Sequence, residues 1–482
     1  MNKSAVLAAV PLLFAGAAFA EPATDAGAAH LTEVFQTYLG TTDGVVSVAV
    51  NGDTYDLTLD ATPLIALAKD SGATGTITPM EMSLTDNGDG TWDVTQDQAI
   101  SIAFSAPNAF DIKEDVAQFT LDGVFDENLM TFSSATGGFS GVKVIETITA
   151  ANQPPTTAEI AVEKGTFTLI GAANATSGVD STTDIVASGL SETVTMPPMG
   201  EGQPGMPVTI KAESLTETAK GTGMMMDGIY KTVAWVVAHP DKAAMQADKA
   251  GLKTILTDAL PIFGNLTASG KVSKLSVETP MGPVAVDEMG FEVEMNGVVT
   301  DGKFREAFTL AGVTLPAGIV PEWAAPIMPQ KLSLDVQVTD FDAAGAANVG
   351  LGVFDLPEGT EPDAAFQGQM MAALLPNGNV TITLNPGEIS GDGYALTYEG
   401  AMVAGPAMPM PTGTAKITLT GIDKLNAALA NAPDDIKGQA SMGIGMAQGM
   451  AKPGENGALV WEIDASKPGS LSVNGTQMMG GN

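Results

Sequence analysis

Residues Ser83–Asp97 read "SLTDNGDGTWDVTQD", and the fold turns on whether Asn87-Gly88-Asp89-Gly90 is a calcium loop or the tip of a hairpin. An EF-hand loop takes acidic or Asn ligands at its first, third and fifth positions, Gly at the sixth and Glu at the twelfth. With Gly90 at the sixth position, Thr85 stands at the first and Gln96 at the twelfth, so both key ligands are missing. Apolar residues alternate on either side, Met82 and Leu84 before, Trp92 and Val94 after. Asn-Gly and Asp-Gly supply the positive φ that a tight turn between strands requires. The stretch predicts a hairpin, with Asp86, Asp89 and Asp93 binding no structural calcium. Similar tips are expected between strand-like runs at Asn51-Gly52-Asp53, Asn377-Gly378-Asn379 and Gly391-Asp392-Gly393.

Outward from this hairpin, period-two alternation dominates. "ISIAF" (Ile100–Phe104), "FEVEM" (Phe291–Met295), "LSLDVQV" (Leu332–Val338) and "VTITL" (Val380–Leu384) each put apolar residues on one face and polar ones on the other. This is the pattern of antiparallel sheet packed on one side. Three stretches add a strand followed by a short helix: Thr54–Asp70 with Pro63 in the first turn, Leu332–Ala347 turning at Asp340-Phe341-Asp342, and Ala415–Ala430 turning at Gly421-Ile422-Asp423. In each, an Asp or Thr is expected to cap the helix N-terminus. A helical zone is expected over Met224–Phe263, one helix covering Asp227–Ala238 and a second starting at Pro240. Within it Leu252, Ile255, Leu256 and Ala259 share a face. The expected fold is α+β and β-rich, an elongated body of repeated antiparallel β-meander units with short helices packed on the sheets.

The chain opens with one cation, Lys3, an apolar run from Ala5 to about Ala17, and the small-residue site Ala18-Phe19-Ala20. This predicts a cleavable signal peptide over residues 1–20, cut after Ala20, and a periplasmic or secreted protein. No later apolar run approaches the ~20 residues a spanning helix needs, so no transmembrane segment is expected in the mature chain. With no cysteine in the sequence, neither a disulfide nor an acylated Cys is available. The Pro/Gly-rich Thr195–Pro207 is a loop or a linker. The expected division lies at Gly221-Thr222-Gly223, giving an N-terminal β-rich domain over 21–222, then over 223–482 a helical segment and a C-terminal β-rich domain with short helices.

Charge excludes one class of partner. Against 56 acidic residues stand 21 basic ones, a net charge of −35, and nucleic acid binding needs clustered Lys and Arg. An anionic lipid surface is repelled for the same reason. Hydrophobic residues make up 44% of the chain and are periodically placed, which argues against disorder.

The exported start, the "SLTDNGDGTW" hairpin and "VPEWAAPIMPQKLSLDVQVTDFDAAGAA" (Val320–Ala347) resemble an uncharacterised envelope family of alphaproteobacteria, a numbered domain of unknown function. The tail from Leu374–Met402 to Leu419–Ala430 is similar in style to AsmA-like proteins, in which curved sheets repeat with interleaved short helices. The first resemblance implies an envelope protein without known chemistry. The second implies a long apolar groove able to shield lipid, here without the transmembrane anchor that those larger proteins carry.

Residues for catalysis are sparse. The histidines are His30, in a helix expected over Ala29–Leu39, and His239, before Pro240. No GxSxG elbow, HExxH, Walker loop or complete GxGxxG occurs, and "GGFSG" (Gly137–Gly141) reads as a turn around Ser140. Carboxylate pairs such as Asp287-Glu288 and Asp434-Asp435 are expected by chance in so acidic a chain. Methionine is enriched, at 25 residues: Met196, Met199 and Met206, then Met224-Met225-Met226, Met408 and Met410, and Met442, Met446 and Met450 one helical turn apart. Thioethers bind Cu(I) where thiols are absent, but they also fill irregular apolar space. No residue is assigned a catalytic, cofactor-binding or metal role, and no cofactor is expected. The expectation is a non-enzymatic envelope protein that binds an apolar ligand such as lipid, or a partner protein. A Met-rich copper-binding protein is the alternative, and a hydrolase, marked by a cleft where His239 meets an acid, comes third. An apolar groove is expected between the sheet and the helices starting near Pro63, Asp342 and Asp423, lined in part by methionines.

Overall fold

A hairpin at Asn87–Gly90 fixes the direction of everything after it. Asn87 N–H bonds Thr91 O at 3.1 Å, and Asp86 pairs with Trp92 in antiparallel register. The nearby carboxylates hold the turn itself: Asp86 accepts from Gly88 N–H at 2.7 Å, Asp89 from Thr91 N–H and hydroxyl at 3.1 and 2.6 Å, and Asp93 from the Asn87 amide at 3.1 Å. These bonds from Thr91 hold the Asp89 carboxyl below its ordinary value. Gly90 has φ +85 with open space around it, the nearest atom to an added Cβ being Asn128 Nδ2 at 3.6 Å. Gly90→Val should therefore cost about 1–2 kcal/mol through backbone strain alone, read as a lower urea midpoint, while chelation should leave the melting temperature unchanged.

The computed structural model describes residues 22–67, 72, 74–106, 109–149, 155–196, 206–279 and 281–480. The expected signal peptide and the centre of the Pro/Gly-rich stretch lie outside them. The strands, in chain order, are β1 (Val46–Asn51), β2 (Thr54–Leu59), β3 (Thr74–Ile77), β4 (Met80–Asp86), β5 (Thr91–Ala106), β6 (Phe110–Asp126), β7 (Thr131–Ile148), β8 (Thr156–Ala173), β9 (Val179–Met196) and β10 (Met206–Met224). They continue as β11 (Asn265–Glu278), β12 (Val284–Asn296), β13 (Gly302–Thr314), β14 (Lys331–Phe341), β15 (Val380–Gly391), β16 (Tyr394–Ala404), β17 (Thr412–Thr420), β18 (Lys452–Pro453), β19 (Leu459–Asp464), β20 (Leu471–Val473) and β21 (Thr476–Met479). All belong to one antiparallel sheet of 21 strands. From β5 to β17 each strand pairs with the next, a pure meander; β3 and β4 share one edge of β5, and β18 and β20 share one edge of β19. At ~4.8 Å per strand, such a sheet runs for roughly 85 Å.

The helices interrupt this meander. They are α1 (Asp25–Leu39), α2 (Thr62–Leu67), α3 (Met226–Ala238), α4 (Lys242–Ala247), α5 (Lys249–Asp258), α6 (Ala343–Gly350), α7 (Ala364–Leu374), α8 (Ile422–Leu429) and α9 (Asp434–Met450). The protein is β-rich α+β, as expected, with the three strand-to-helix units at β2–α2, β14–α6 and β17–α8. The sheet is continuous across the expected division: Gly221–Gly223 lies inside β10, which pairs with β9 on one side and β11 on the other. Thr195–Pro207 joins two paired strands, with Met196 opposite Met206.

Four local expectations need correction. Asn377-Gly378-Asn379 leads from α7 into β15 rather than joining two strands. Gly421, in left-handed conformation, stands at the N-cap of α8 with no side-chain bond, and Asp423 sits in the first turn. The helix after His239 starts at Lys242, since Asp241 is its N-cap, accepting from Ala244 N–H at 2.8 Å, and Pro240 precedes the cap. Ser140 lies within β7, not in a turn: Gly141, at φ +59, sits inside the strand without shifting its register, since Gln118 pairs with Ser140 and Val116 with Val142.

The buried core sits at the N-terminal end of the sheet. Thr24 caps α1, accepting from Gly27 N–H at 3.1 Å, and Leu31, Phe35 and Tyr38 recur at helical spacing along it. Leu31 packs among Tyr55, Leu57, Leu84, Trp92 and Phe125 from β2, β4, β5 and β6. Tyr55 also seats the start of α1, its hydroxyl accepting from Thr24 N–H at 3.0 Å. α3 lies beside α1, with the Tyr38 and Tyr230 rings 4.6 Å apart.

Candidate functional site

Strand register assigns every side chain to one of two faces, because directly opposed residues share a face. Starting from the core residues Leu57, Leu84 and Val94, the same face carries Phe119, Phe139 and Phe167, then Ile185, Leu215, Val272, Phe291, Phe308, Leu334, Ile382, Tyr398, Ile417 and Trp461. The apolar face therefore runs the length of the sheet. Glu114, Glu146, Glu192, Glu217 and Glu306 interrupt it singly, each opposite an aliphatic residue.

The other face is ionic. Lys143–Glu159 at 2.8 Å, Lys303–Glu294 at 2.7 Å and Lys331–Glu388 at 2.6 Å bridge neighbouring strands there. Arg305, the one arginine in the sequence, donates to Asp335 at 2.7 and 2.9 Å and to Glu292 at 2.8 Å, while Asn385 donates to Asp335 at 2.8 Å. The bonds from Arg305 hold the Asp335 carboxyl below its ordinary value. With a depressed folded value, its stabilisation is full above the unfolded pKa of ~3.9 and is lost as pH falls through the folded one. Asp335→Asn should thus cost about 1 kcal/mol at pH 7 and flatten the loss of stability below about pH 4, as read by urea unfolding at pH 7 and pH 3.

Past the core, little of the chain covers the apolar face. Ile148 is 50% exposed, Leu334 40% and Met402 42%. Of the helices expected to cover it, α2 packs Leu64 against the core, α6 packs mainly on α7, and α8 packs on α9 with slight contact to β16. Among the described residues the main cover is α1 with α3, at the N-terminal end of the sheet. There the face forms a cavity of about 270 Å³. Phe35, Tyr38 and Leu39 of α1 and Tyr230 of α3 form one side; Leu57, Met82, Val94 and Phe125 of the sheet form the other. Its lining is aromatic and aliphatic, with Met82 as its one methionine and Thr131 the one polar residue besides the tyrosines.

Burial pushes the Tyr38 phenol up to about 12, helped by Tyr230, Glu127 and Asp126 nearby, and burial also raises Tyr230. The other tyrosines have structural bonds: Tyr55 accepts from Thr24, while Tyr394 donates to Ile327 O at 2.8 Å and Tyr398 to Ser333 O at 2.7 Å. Among the described residues, neither Tyr38 nor Tyr230 bonds through its hydroxyl. Asn265 Oδ1 is the only fully buried side-chain polar atom there without a partner, so both hydroxyls reach open space.

The sequence candidates fall elsewhere. His30 contacts Glu127 at 3.0 Å and stacks on Trp92, whose indole donates to the same Glu127 at 2.6 Å. His239 does meet an acid, Asp248, at 3.5 Å, and stacks on Trp235, whose indole donates to that Asp248 at 2.9 Å. Asp248 also caps α5 through Gly251 N–H at 3.2 Å, and His239 Nδ1 lies 2.6 Å from Trp235 O. Both histidines thus sit in matching clusters that tie a helix to its neighbours.

Met442 and Met446 project to solvent from α9, Met224 ends β10, and Met225 precedes α3. Among the described residues no group of three or more His, Asp or Glu is arranged to hold a metal ion, and no helix is long and apolar enough to cross a membrane. The tyrosine pair went unnoticed in the sequence. Tyr38 follows Leu31 and Phe35 on a helical face, but nothing local says that Tyr230, far along the chain, meets it. The chain matches no family model, no curated protein and no solved structure in the three comparisons made.

Proposed function

We propose that this is a non-enzymatic envelope protein that holds an apolar ligand, such as the hydrocarbon part of a lipid, against its apolar sheet face. The observation that carries the proposal is the register: one apolar face runs from β2 to β19 and stays largely uncovered beyond α1 and α3. A solvated apolar surface of such extent is costly unless something occupies it, and monomeric proteins rarely keep one without a binding role. The resemblance of Leu374–Met402 and Leu419–Ala430 to AsmA-like proteins implies the same use.

The test places charge on the face where the backbone will tolerate it. Phe291 and Phe308 are cross-strand partners and both half-buried. The protein, purified from its native envelope fraction, should carry extractable lipid and bind a fluorescent fatty-acyl probe. Phe291→Glu with Phe308→Glu should lower probe binding at least tenfold with the circular dichroism spectrum retained. Absence of lipid and of probe binding in the unaltered protein would leave the face to a partner protein instead.

A further inference from the structure

We infer that the cavity between α1, α3 and the sheet is a selective seat for one uncharged, medium-length acyl chain, gripped at its carbonyl by Tyr38 and Tyr230. The inference rests on the apolar-ligand proposal and adds the length and the head group.

Length comes from volume. The cavity holds about 270 Å³. A methylene occupies about the ~30 Å³ that a water takes in the liquid, so roughly nine fit. The open face beyond has no such limit. Head-group chemistry comes from the hydroxyls. The Tyr38 and Tyr230 rings lie 4.6 Å apart and both line the cavity, and among the described residues neither O–H has a partner. Neither hydroxyl is spent on a bond within the protein or sealed from open space, so each is free to donate to a ligand oxygen. Charge selects among acceptors. Asp126 and Glu127 lie close enough to act on Tyr38, and no Lys or Arg lines the cavity. A carboxylate entering there would have no cation to meet and would face these anions, whereas an ester or amide carbonyl would accept the same hydrogen bonds at no such cost.

The experiment titrates the whole protein, cleared of bound lipid, with methyl esters of six, eight, ten, twelve and sixteen carbons, and with sodium decanoate, at pH 7.5 by calorimetry. Affinity should rise roughly fourfold per methylene up to about the ten-carbon ester and then level off, and decanoate should bind at least tenfold more weakly than methyl decanoate. Tyr38→Phe with Tyr230→Phe keeps both rings and hence the packing. It should weaken methyl decanoate about tenfold and leave decane binding unchanged. Equal binding of decanoate and its ester, or no effect of the double substitution, overturns the inference. Affinity that keeps climbing to sixteen carbons overturns it too, while leaving the open-face proposal standing. Binding of no ester of any length defeats both.

Discussion

Leu31→Ala is expected to cost about 3–4 kcal/mol, at the upper part of the range for a fully buried leucine. Leu31 has no exposed surface and lies at the centre of the cluster formed by Tyr55, Leu57, Leu84, Trp92 and Phe125. The site cannot collapse to fill the void, because its walls are four strands held in register by their neighbours, and α1, which carries Leu31, is pinned at Thr24 by Tyr55 and at His30 by Glu127. The loss should also be local. In a meander each strand touches only the next, so stability is close to a sum over neighbours, and damage at one end need not reach the other. Urea unfolding followed by Trp92 environment should therefore shift to a much lower midpoint than far-ultraviolet circular dichroism, splitting one transition into two. Coincident transitions, or a loss below 1 kcal/mol, would mean that α1 is not the element that closes this end. Since α1 also forms one side of the cavity, ester binding should weaken in the same variant.

How much of this could be read in the sequence follows from the range of each interaction. The hairpin at Asn87–Gly90 was legible because turn chemistry is local: two glycines with positive φ and alternating flanks suffice. So were β12, β14 and β15, where alternation over five or more residues leaves one reading. Ser140 reads as a turn residue because "GGFSG" carries the composition of a turn, whereas its glycines serve a strand, one at a positive φ and one beneath an aromatic ring. Gly221–Gly223, at the expected division, also lies within a strand, β10. Proximity in sequence points to α6 and α8 as covers of the apolar face, but α1 and α3 cover it from opposite sides of ten intervening strands. Pairwise periodicity says which face of each strand is apolar. It does not say that all such faces join into one, since that depends on register, and register depends on bulges that no local pattern announces.

The second large effect concerns how that face stays smooth. Phe119 and Phe167 stack with ring centroids 5.7 Å apart although β7 lies between their strands, β6 and β8. They meet because the residue between them on β7 is Gly137, directly opposite Leu121 and Phe167, with no side chain to separate the rings. The same device recurs one pair along, with Phe139 over Gly165, and again with Phe291 over Gly270. An aromatic ring laid over a cross-strand glycine shields its backbone and keeps the apolar layer one ring thick. A Cβ at Gly137 would collide with the Thr120 carbonyl oxygen and with the Phe167 ring. Gly137→Val is therefore expected to cost about 3 kcal/mol, the upper range for overpacking, and to lift Phe167 off the sheet. Phe167→Ala alone should cost less, as the ring is half-exposed, and the two changes together should cost less than their sum, because the truncated residue leaves room for the valine. A double-mutant cycle by urea denaturation measures that coupling. Strict additivity would mean that the clash with Thr120 accounts for the whole loss and that the ring over Gly137 contributes nothing to it.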